Sequence, residues 1–126
     1  MSIKFKTIPR KNLQKPDDPP MYYAIAAPQG KTDIDGISAS IADKSTVSRP
    51  DVYAVIIATL ETINSELQAG RSVQLGKLGS FSVSISSDPA ATPDQVTASS
   101  IRKSRVLYRP GAEIRDMLKT LKYEKL

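Results

Sequence analysis

The sequence contains no cysteine and no histidine among its 126 residues. These absences exclude disulfide bonds, thiolate nucleophiles, imidazole acid–base catalysis and the usual zinc sites. No serine stands in a nucleophile-elbow pattern, and no phosphate-cradling glycine loop precedes a lysine followed by serine or threonine. We therefore expect a protein that is not an enzyme and that binds no metal ion and no cofactor.

A long hydrophobic run is also missing. No stretch approaches the length of about 18 apolar residues that a membrane-spanning helix needs. The chain starts MSIKFKTIPRK, with charges where a signal peptide would need an apolar segment. We expect a cytoplasmic protein, and a chain of this length with 40% hydrophobic residues suits one domain with a modest core.

Negative charge is concentrated in the middle of the chain, although the net charge is +5. Residues 1–31 carry six basic and two acidic side chains, residues 32–70 carry two and six, and residues 71–126 carry ten and five. A polyanion would be attracted to the two basic segments, whose positive field supplies affinity independent of base sequence. A basic surface that only aids solubility is the alternative, and charge alone does not separate the two.

The first part of the chain predicts a pair of strands. Residues 3–8 largely alternate apolar and polar side chains, and residues 21–27 (MYYAIAA) form a second apolar run. Four prolines between Pro9 and Pro20 require an irregular connection between them. The two strands would pack on the helical part of the protein or on a partner.

Two helices are predicted next. The first spans residues 32–44, because Thr32 with Asp35 forms an acidic version of the capping box. The second follows a similar cap at Ser48 and runs to residue 68 or 69, just before Gly70. Its apolar stripe is wider than one short helix can cover, which favours a dimer.

The remainder predicts strand, loop, strand and helix. Residues 71–85 predict one or two strands, with a bend or bulge permitted by Gly76 and Gly79. Residues 86–100 hold two prolines and two aspartates and predict a mobile hairpin tip or a disordered loop. A strand over 101–108 follows, and then a C-terminal helix that carries Ile114, Met117, Leu118 and Leu121 on one face and ends among Lys119, Lys122 and Lys125.

Four local motifs occur in a fixed order along this part of the chain. They are SRPD from Ser48, the Ala69-Gly70 helix end, VQLGKLGSFSV from Val73 and YRPG from Tyr108. Together they resemble the HU and integration-host-factor family of small dimeric DNA-bending proteins, over about three quarters of the chain. The third motif matches the family pattern Val-x-Leu-x-x-Phe-Gly-x-Phe-x-Val, except that Leu78 stands where a phenylalanine is usual.

The resemblance implies an α+β, HU-like fold. It would consist of two N-terminal helices, a three-stranded antiparallel sheet with a shortened arm, and a short C-terminal helix. An N-terminal strand-pair extension over residues 1–31 would precede the HU-like DNA-binding domain over residues 32–126, as in a divergent branch that carries such strands. Whether the added strands pair within one subunit or between subunits stays open.

The arm departs from the family pattern. In the family, an arginine-rich hairpin ends in Arg-Asn-Pro, and the proline wedges between base steps in the minor groove. Here the tip reads SSDPAATPDQ, with no basic residue between Lys77 and Arg102 and with carboxylates at Asp88 and Asp94. Carboxylates repel phosphates, so the strand body and saddle are the expected DNA surface.

The candidate nucleic-acid-binding residues are therefore cations on the strands. Lys103 and Arg105 should point the same way if Val106 and Tyr108 face the core, and adjacent cations of that kind can meet successive phosphates. A solvated strand face, or an edge protected by charge, explains the same pattern equally well. The full set of candidates is Lys77, Arg102, Lys103, Arg105 and Arg109.

Other basic and aromatic residues could also contact nucleic acid. Arg71 at the strand entry could extend the patch, although capping the preceding helix is the simpler role. Lys4 and Lys6 share a face of the first strand and would add a second basic stripe or only protect an edge. Tyrosines at 22, 23 and 53 could stack on bases, but their apolar surroundings favour core or dimer packing.

We predict a homodimeric, histone-like protein of the nucleoid that binds double-stranded DNA with little sequence preference. Recognition would be of backbone charge and duplex shape, and no membrane or small-molecule substrate is expected. The main alternative is an HU-like dimeric scaffold that binds other proteins and not DNA. An enzyme is a distant third, because the side chains that usually perform catalysis are missing.

Overall fold

A computed structural model describes all 126 residues and shows an α+β protein with three helices and two small sheets. The chain divides into two compact units. The first unit combines Met1–Asp33 with Met117–Leu126, and the second comprises Ile34–Asp116. The predicted division at residue 31 stays a prediction.

The first unit is a three-stranded sheet. Strands β1 (Ile3–Arg10) and β2 (Met21–Ala26) pair antiparallel, so the predicted strand pair forms within one chain. The third strand, β6 (Tyr123–Lys125), lies on the other side of β1 and runs parallel to it.

Strand β6 corrects the expected end of the chain. The predicted helix, α3, is only Ala112–Leu118, so Lys122 and Lys125 do not lie at its C-terminal end. Instead the backbone N–H of Ile3 donates to the carbonyl of Lys122 at 2.8 Å. Four apolar residues at helical spacing cannot distinguish a two-turn helix from a longer one. In the structure, pairing with β1 satisfies backbone N–H and C=O groups that a longer helix would have paired internally.

The second unit begins with two helices, α1 (Ile34–Lys44) and α2 (Arg49–Gln68). Helix α1 starts two residues later than predicted and ends where expected. The Ser48 hydroxyl accepts a hydrogen bond from the backbone N–H of Asp51 at 3.4 Å, which confirms the predicted cap of α2. Helix α2 ends before Gly70, whose φ of 82° is the left-handed value that stops a helix.

The sheet of this unit consists of β3 (Val73–Gln74), β4 (Gly79–Ser87) and β5 (Ile101–Pro110). The strands stand in the order β3-β4-β5 and are antiparallel throughout. A single 3-10 turn over Gly76–Leu78 makes the predicted bend between β3 and β4.

The bend packs closely against the end of β5 at Gly79 and Gly111. Gly79 has a φ of 125°, and a Cβ on it would lie 2.3 Å from the carbonyl oxygen of Arg109. A Cβ on Gly111 would lie 2.1 Å from the carbonyl oxygen of Lys77. The backbones at the bend and at the end of β5 therefore approach so closely that no side chain fits between them.

The arm tip between β4 and β5 is more regular than the sequence suggested. It contains two single 3-10 turns, Pro93–Gln95 and Ala98–Ser100. The backbone N–H of Asp88 donates to the carbonyl of Ser100 at 2.9 Å and so continues the pairing of the two strands. Thr97 and Ser100 form a reciprocal capping box around the second turn.

The hydrophobic core of a single chain is thin. Val52 is the one buried residue with a large apolar side chain, at 6% exposure. The other buried residues are Gly79 and Ser38, and the Ser38 hydroxyl donates to the carbonyl of Ile34. On α2, Val55 and Leu60 are 62% and 53% exposed. A chain of this size normally buries a larger core, so apolar surface is left uncovered.

Candidate nucleic-acid interface

The β4–β5 hairpin separates its side chains onto two faces. Residues directly opposite each other in an antiparallel pair share a face, and successive residues of a strand alternate between faces. One face carries the pairs Phe81–Tyr108, Val83–Val106 and Ile85–Ser104, and we call it the apolar face. The other carries the pairs Ser80–Arg109, Ser82–Leu107, Ser84–Arg105 and Ser86–Lys103, and we call it the cationic face.

The alternation is fixed by contacts on the apolar face. The rings of Phe81 and Tyr108 lie 5.2 Å apart, and the Tyr108 hydroxyl donates to the carbonyl of Leu78 at 2.6 Å. These contacts tie β5 to the bend before β4. A slip of one residue would move every side chain to the opposite face, so they also hold the basic residues in place.

Three of the five candidate residues meet on the cationic face. Lys103, Arg105 and Arg109 are exposed, and none of them has a carboxylate within ion-pair distance. Along a strand, alternate residues lie about 6.7 Å apart, so Lys103 and Arg105 present their charges side by side. Their shared orientation, predicted from the alternation of the sequence, is what the register shows.

Arg102 does not join this group. It is the unpaired residue at an irregularity of the ladder, between the pairs Ser86–Lys103 and Ser87–Ile101. Its guanidinium forms an ion pair and a hydrogen bond with the Asp88 carboxylate at the base of the arm tip. The two strands of the arm are joined there by compensated charge. Arg102 therefore contributes less free positive charge than the sequence alone implied.

Lys77 is also paired. It lies on the 3-10 turn, and its Nζ is 3.0 Å from a carboxylate oxygen of Glu113 at the start of α3. The two side chains are 83% and 67% exposed, so their interaction is strongly screened by water. A phosphate could compete for this lysine, whereas Arg109 needs no such exchange.

Arg71 has the simpler of its two predicted roles. Its guanidinium Nε lies 2.5 Å from a carboxylate oxygen of Glu66, and its backbone N–H donates to the Glu66 carbonyl. The hydrogen bond from Arg71, together with its charge, holds the pKa of Glu66 below the usual range. Arg71 thus stabilises the C-terminal end of α2 and is not part of the cationic face.

Of the two lysines predicted to form a second stripe on β1, Lys6 has no carboxylate partner and Lys4 has one. Lys4 pairs with Glu124 of β6 at 2.5 Å, and the hydrogen bond from Lys4 lowers the pKa of that carboxyl. The guanidinium carbon of Arg10 lies 5.4 Å from the ring centre of Tyr23, a cation–π contact. Tyr23 therefore has an intramolecular partner.

The serines opposite the basic residues were missed by the sequence reasoning. Ser80, Ser82, Ser84 and Ser86 stand at alternate positions of β4 on the same face as the cations. The signal was present in the sequence as GSFSVSIS, but it predicts an interface only when the register places these serines beside the basic residues of β5.

Comparison with known proteins connects this arrangement to a family. The family model HU-HIG, described as an HU domain fused to wHTH, Ig, or glycine-rich motif, matches residues 1–125. The chain is similar to a Bacteroides vulgatus protein described as a "putative bacterial DNA binding protein", with a TM-score of 0.65 and 17% identity. That match covers 100% of this chain and 49% of the other, so this chain spans about half the length of the Bacteroides protein.

A second solved structure is that of Anabaena HU in a cocrystal with DNA. The TM-score is 0.54 at 21% identity, and the match covers 69% of this chain and 97% of that chain. No curated protein matches the sequence. The HU-like α+β fold predicted from the four motifs is therefore confirmed, as is the resemblance itself. None of the helices has the length and hydrophobicity required to span a bilayer.

Proposed function

The chain belongs to the HU-HIG family, and from this premise we propose that it binds double-stranded DNA as a histone-like, nucleoid-associated protein. The family is an architectural DNA-binding type and not an enzyme class. In the proposed mechanism a homodimer neutralises phosphates with little preference for base sequence. The cationic face supplies the contacts.

The observation that carries the proposal is the set of three unpaired cations on one exposed face. Lys103, Arg105 and Arg109 have no carboxylate partner to give up, so binding a phosphate costs them no internal ion pair. Each phosphate neutralised releases a condensed counterion from the DNA, and this release drives association. Arg102 and Lys77 contribute at most weakly, because each already has a carboxylate beside it.

The dimer is supported by the uncovered apolar surface. Val55 and Leu60 of α2 are exposed, and so are Val83 and Val106 on the apolar face of the hairpin. Burying such surface is worth about 25 cal/mol per Å², so a second copy of the chain would be strongly stabilising. Two copies would place two cationic faces on one assembly.

The arm tip supports binding without sharp bending. Its unpaired carboxylate, Asp94, would repel the phosphates that a minor-groove wedge must approach, and the Asp88–Arg102 ion pair offers them no net positive charge. We therefore expect a smaller bend than an arginine-rich arm produces. Contacts would follow the phosphate backbone and would not read base edges.

The alternative is a dimeric scaffold that binds other proteins through the N-terminal sheet. Strand β2 leaves Met21 and Tyr22 largely exposed at 66% and 69%, which favours some further contact there. The scaffold requires no free cations on the hairpin. Charge reversal on the cationic face therefore separates the two functions.

The test is a titration of a labelled 30-base-pair duplex at several salt concentrations. We expect tight binding at low salt that weakens steeply as salt rises, and loss of binding in the Lys103→Glu/Arg105→Glu variant. The matched control is Lys11→Glu/Lys15→Glu, which makes the same change of charge on the exposed connection between β1 and β2. No binding at low salt, or equal loss in both variants, would refute the proposed interface.

A further inference from the structure

The four serine hydroxyls on the cationic face have no partner within the protein. None of Ser80, Ser82, Ser84 and Ser86 forms a side-chain hydrogen bond, although other hydroxyls of this chain do. Thr59 and Thr62, for example, donate to carbonyls of their own helix at 2.8 Å. The serine hydroxyls are therefore available to a ligand, and those of Ser80, Ser84 and Ser86 also have a cation beside them.

Each of these serines lies directly across the hairpin from one of the unpaired cations. The pairs are Ser80 with Arg109, Ser84 with Arg105 and Ser86 with Lys103. Opposite residues in an antiparallel ladder have Cβ atoms about 4.5–5.5 Å apart, so a hydroxyl and the cation beside it can reach oxygens of the same phosphate. The fourth serine on this face, Ser82, lies opposite Leu107 and has no such companion.

The difference in side-chain length between the two strands shapes this surface. Serine is short, whereas lysine and arginine extend well beyond the backbone, so the face is low along β4 and high along β5. A DNA strand whose phosphate backbone lies along β4 would contact the serine hydroxyls beneath it and the cations of β5 at its side. Hydroxyl donors commonly contact phosphate oxygens in DNA complexes and carry no sequence information.

We propose that Ser80, Ser84 and Ser86 donate hydrogen bonds to the phosphates that Arg109, Arg105 and Lys103 neutralise. This inference rests on the proposed function and adds neutral hydrogen-bond donors to the DNA-binding surface of the cationic face. A neutral donor releases no counterion, so the serines add affinity without making it depend on salt. The cations and the serines are thereby separable by experiment.

The experiment compares two triple variants of equal shape. Ser80→Thr/Ser84→Thr/Ser86→Thr keeps all three hydroxyls, and Ser80→Val/Ser84→Val/Ser86→Val removes them, while both introduce branched residues that strands favour. We expect the threonine variant to bind a 30-base-pair duplex about as tightly as the unmodified protein. The valine variant should bind roughly tenfold to a hundredfold more weakly at fixed salt, with an unchanged salt slope.

A second comparison controls for position. The variants Ser82→Val and Ser82→Thr make the same comparison at the serine opposite Leu107. We expect their affinities for the duplex to differ by less than about threefold. Circular dichroism melts of all variants verify that each folds. Equal affinity of the threonine and valine triple variants would overturn the inference about the serines. The proposed function would still stand in that case if the unmodified protein bound DNA in a salt-dependent way. No DNA binding by the unmodified protein would overturn both.

Discussion

Removing the charge of Asp88 should strengthen DNA binding and make it more dependent on salt. Asp88 holds the Arg102 guanidinium in an ion pair at the base of the arm tip. The Asp88→Asn variant keeps the size of the side chain and removes its charge. Arg102 would then be free to neutralise a phosphate, as its neighbours Lys103 and Arg105 are.

The size of the effect follows from counting free cations. Three per chain, doubled in a dimer, give about six neutralised phosphates and a slope of log affinity against log salt of about −5.4. One more per chain gives about eight and a slope of about −7.2. Between 50 and 200 mM salt the affinity should fall about 2,000-fold for the unmodified protein and about 20,000-fold for Asp88→Asn.

The assay is fluorescence anisotropy of a labelled duplex at five or more salt concentrations. Two controls separate the release of Arg102 from its ion pair from a simple loss of repulsion between a carboxylate and the DNA phosphates. Asp94→Asn removes the other carboxylate of the tip, which has no ion pair, and Asp88→Asn/Arg102→Gln removes both partners. Both controls should keep a slope near that of the unmodified protein.

Two results would refute this reasoning. If Asp88→Asn left the slope unchanged, the freed Arg102 would not be reaching phosphate. If Asp94→Asn steepened the slope as much as Asp88→Asn, the effect would be general repulsion by acidic groups and the ion pair would have no special role.

Three further predictions concern stability. Gly79→Ala should prevent folding or lower the melting temperature by more than ten degrees, because the added Cβ would lie 2.3 Å from the Arg109 carbonyl oxygen. Gly30→Ala is the matched control, because Gly30 has a similar φ of 123° but open space around its Cβ, so this variant should show the backbone strain without the clash and a smaller loss in the same calorimetric scan. Ser48→Ala should cost about 1 kcal/mol by urea unfolding through loss of the α2 cap, and Ser48→Asp should restore it. Arg71 depresses the pKa of Glu66, so this pair should stabilise the fold above the unfolded pKa of Glu66 and lose that contribution as pH falls through the lower folded value. The difference in unfolding free energy between the unmodified protein and Arg71→Gln should therefore persist at neutral pH and vanish in acid.

The sequence predicted correctly those features that depend on residues close together along the chain. Ser48 caps α2 because a hydroxyl three residues before an amide can accept its hydrogen, and that rule needs no tertiary information. The bend at Gly76 and Gly79 was equally readable, because their positive φ values exclude most other residues. The alternation in β5 correctly grouped Lys103 with Arg105.

Features that depend on pairing between distant residues could not be predicted in this way. Nothing near Arg102 in the sequence indicates that Asp88, fourteen positions away, neutralises it. The same limit applied to the serines of β4, since their position beside the cations follows only from the strand register. Strand β6 was hidden because three residues carry no reliable alternation of their own.

The pairing of β1 with β6 also bears on the order in which the protein folds. The second unit is one continuous stretch of chain, so its helices and hairpin can form from nearby segments. By contrast, the partners Ile3 and Tyr123 stand at opposite ends of the sequence, and bringing them together closes a loop that contains almost every residue. Loop-closure entropy makes such a contact late and slow, so β6 should join its sheet as the last step of refolding, when hydrogen exchange has already slowed in the hairpin.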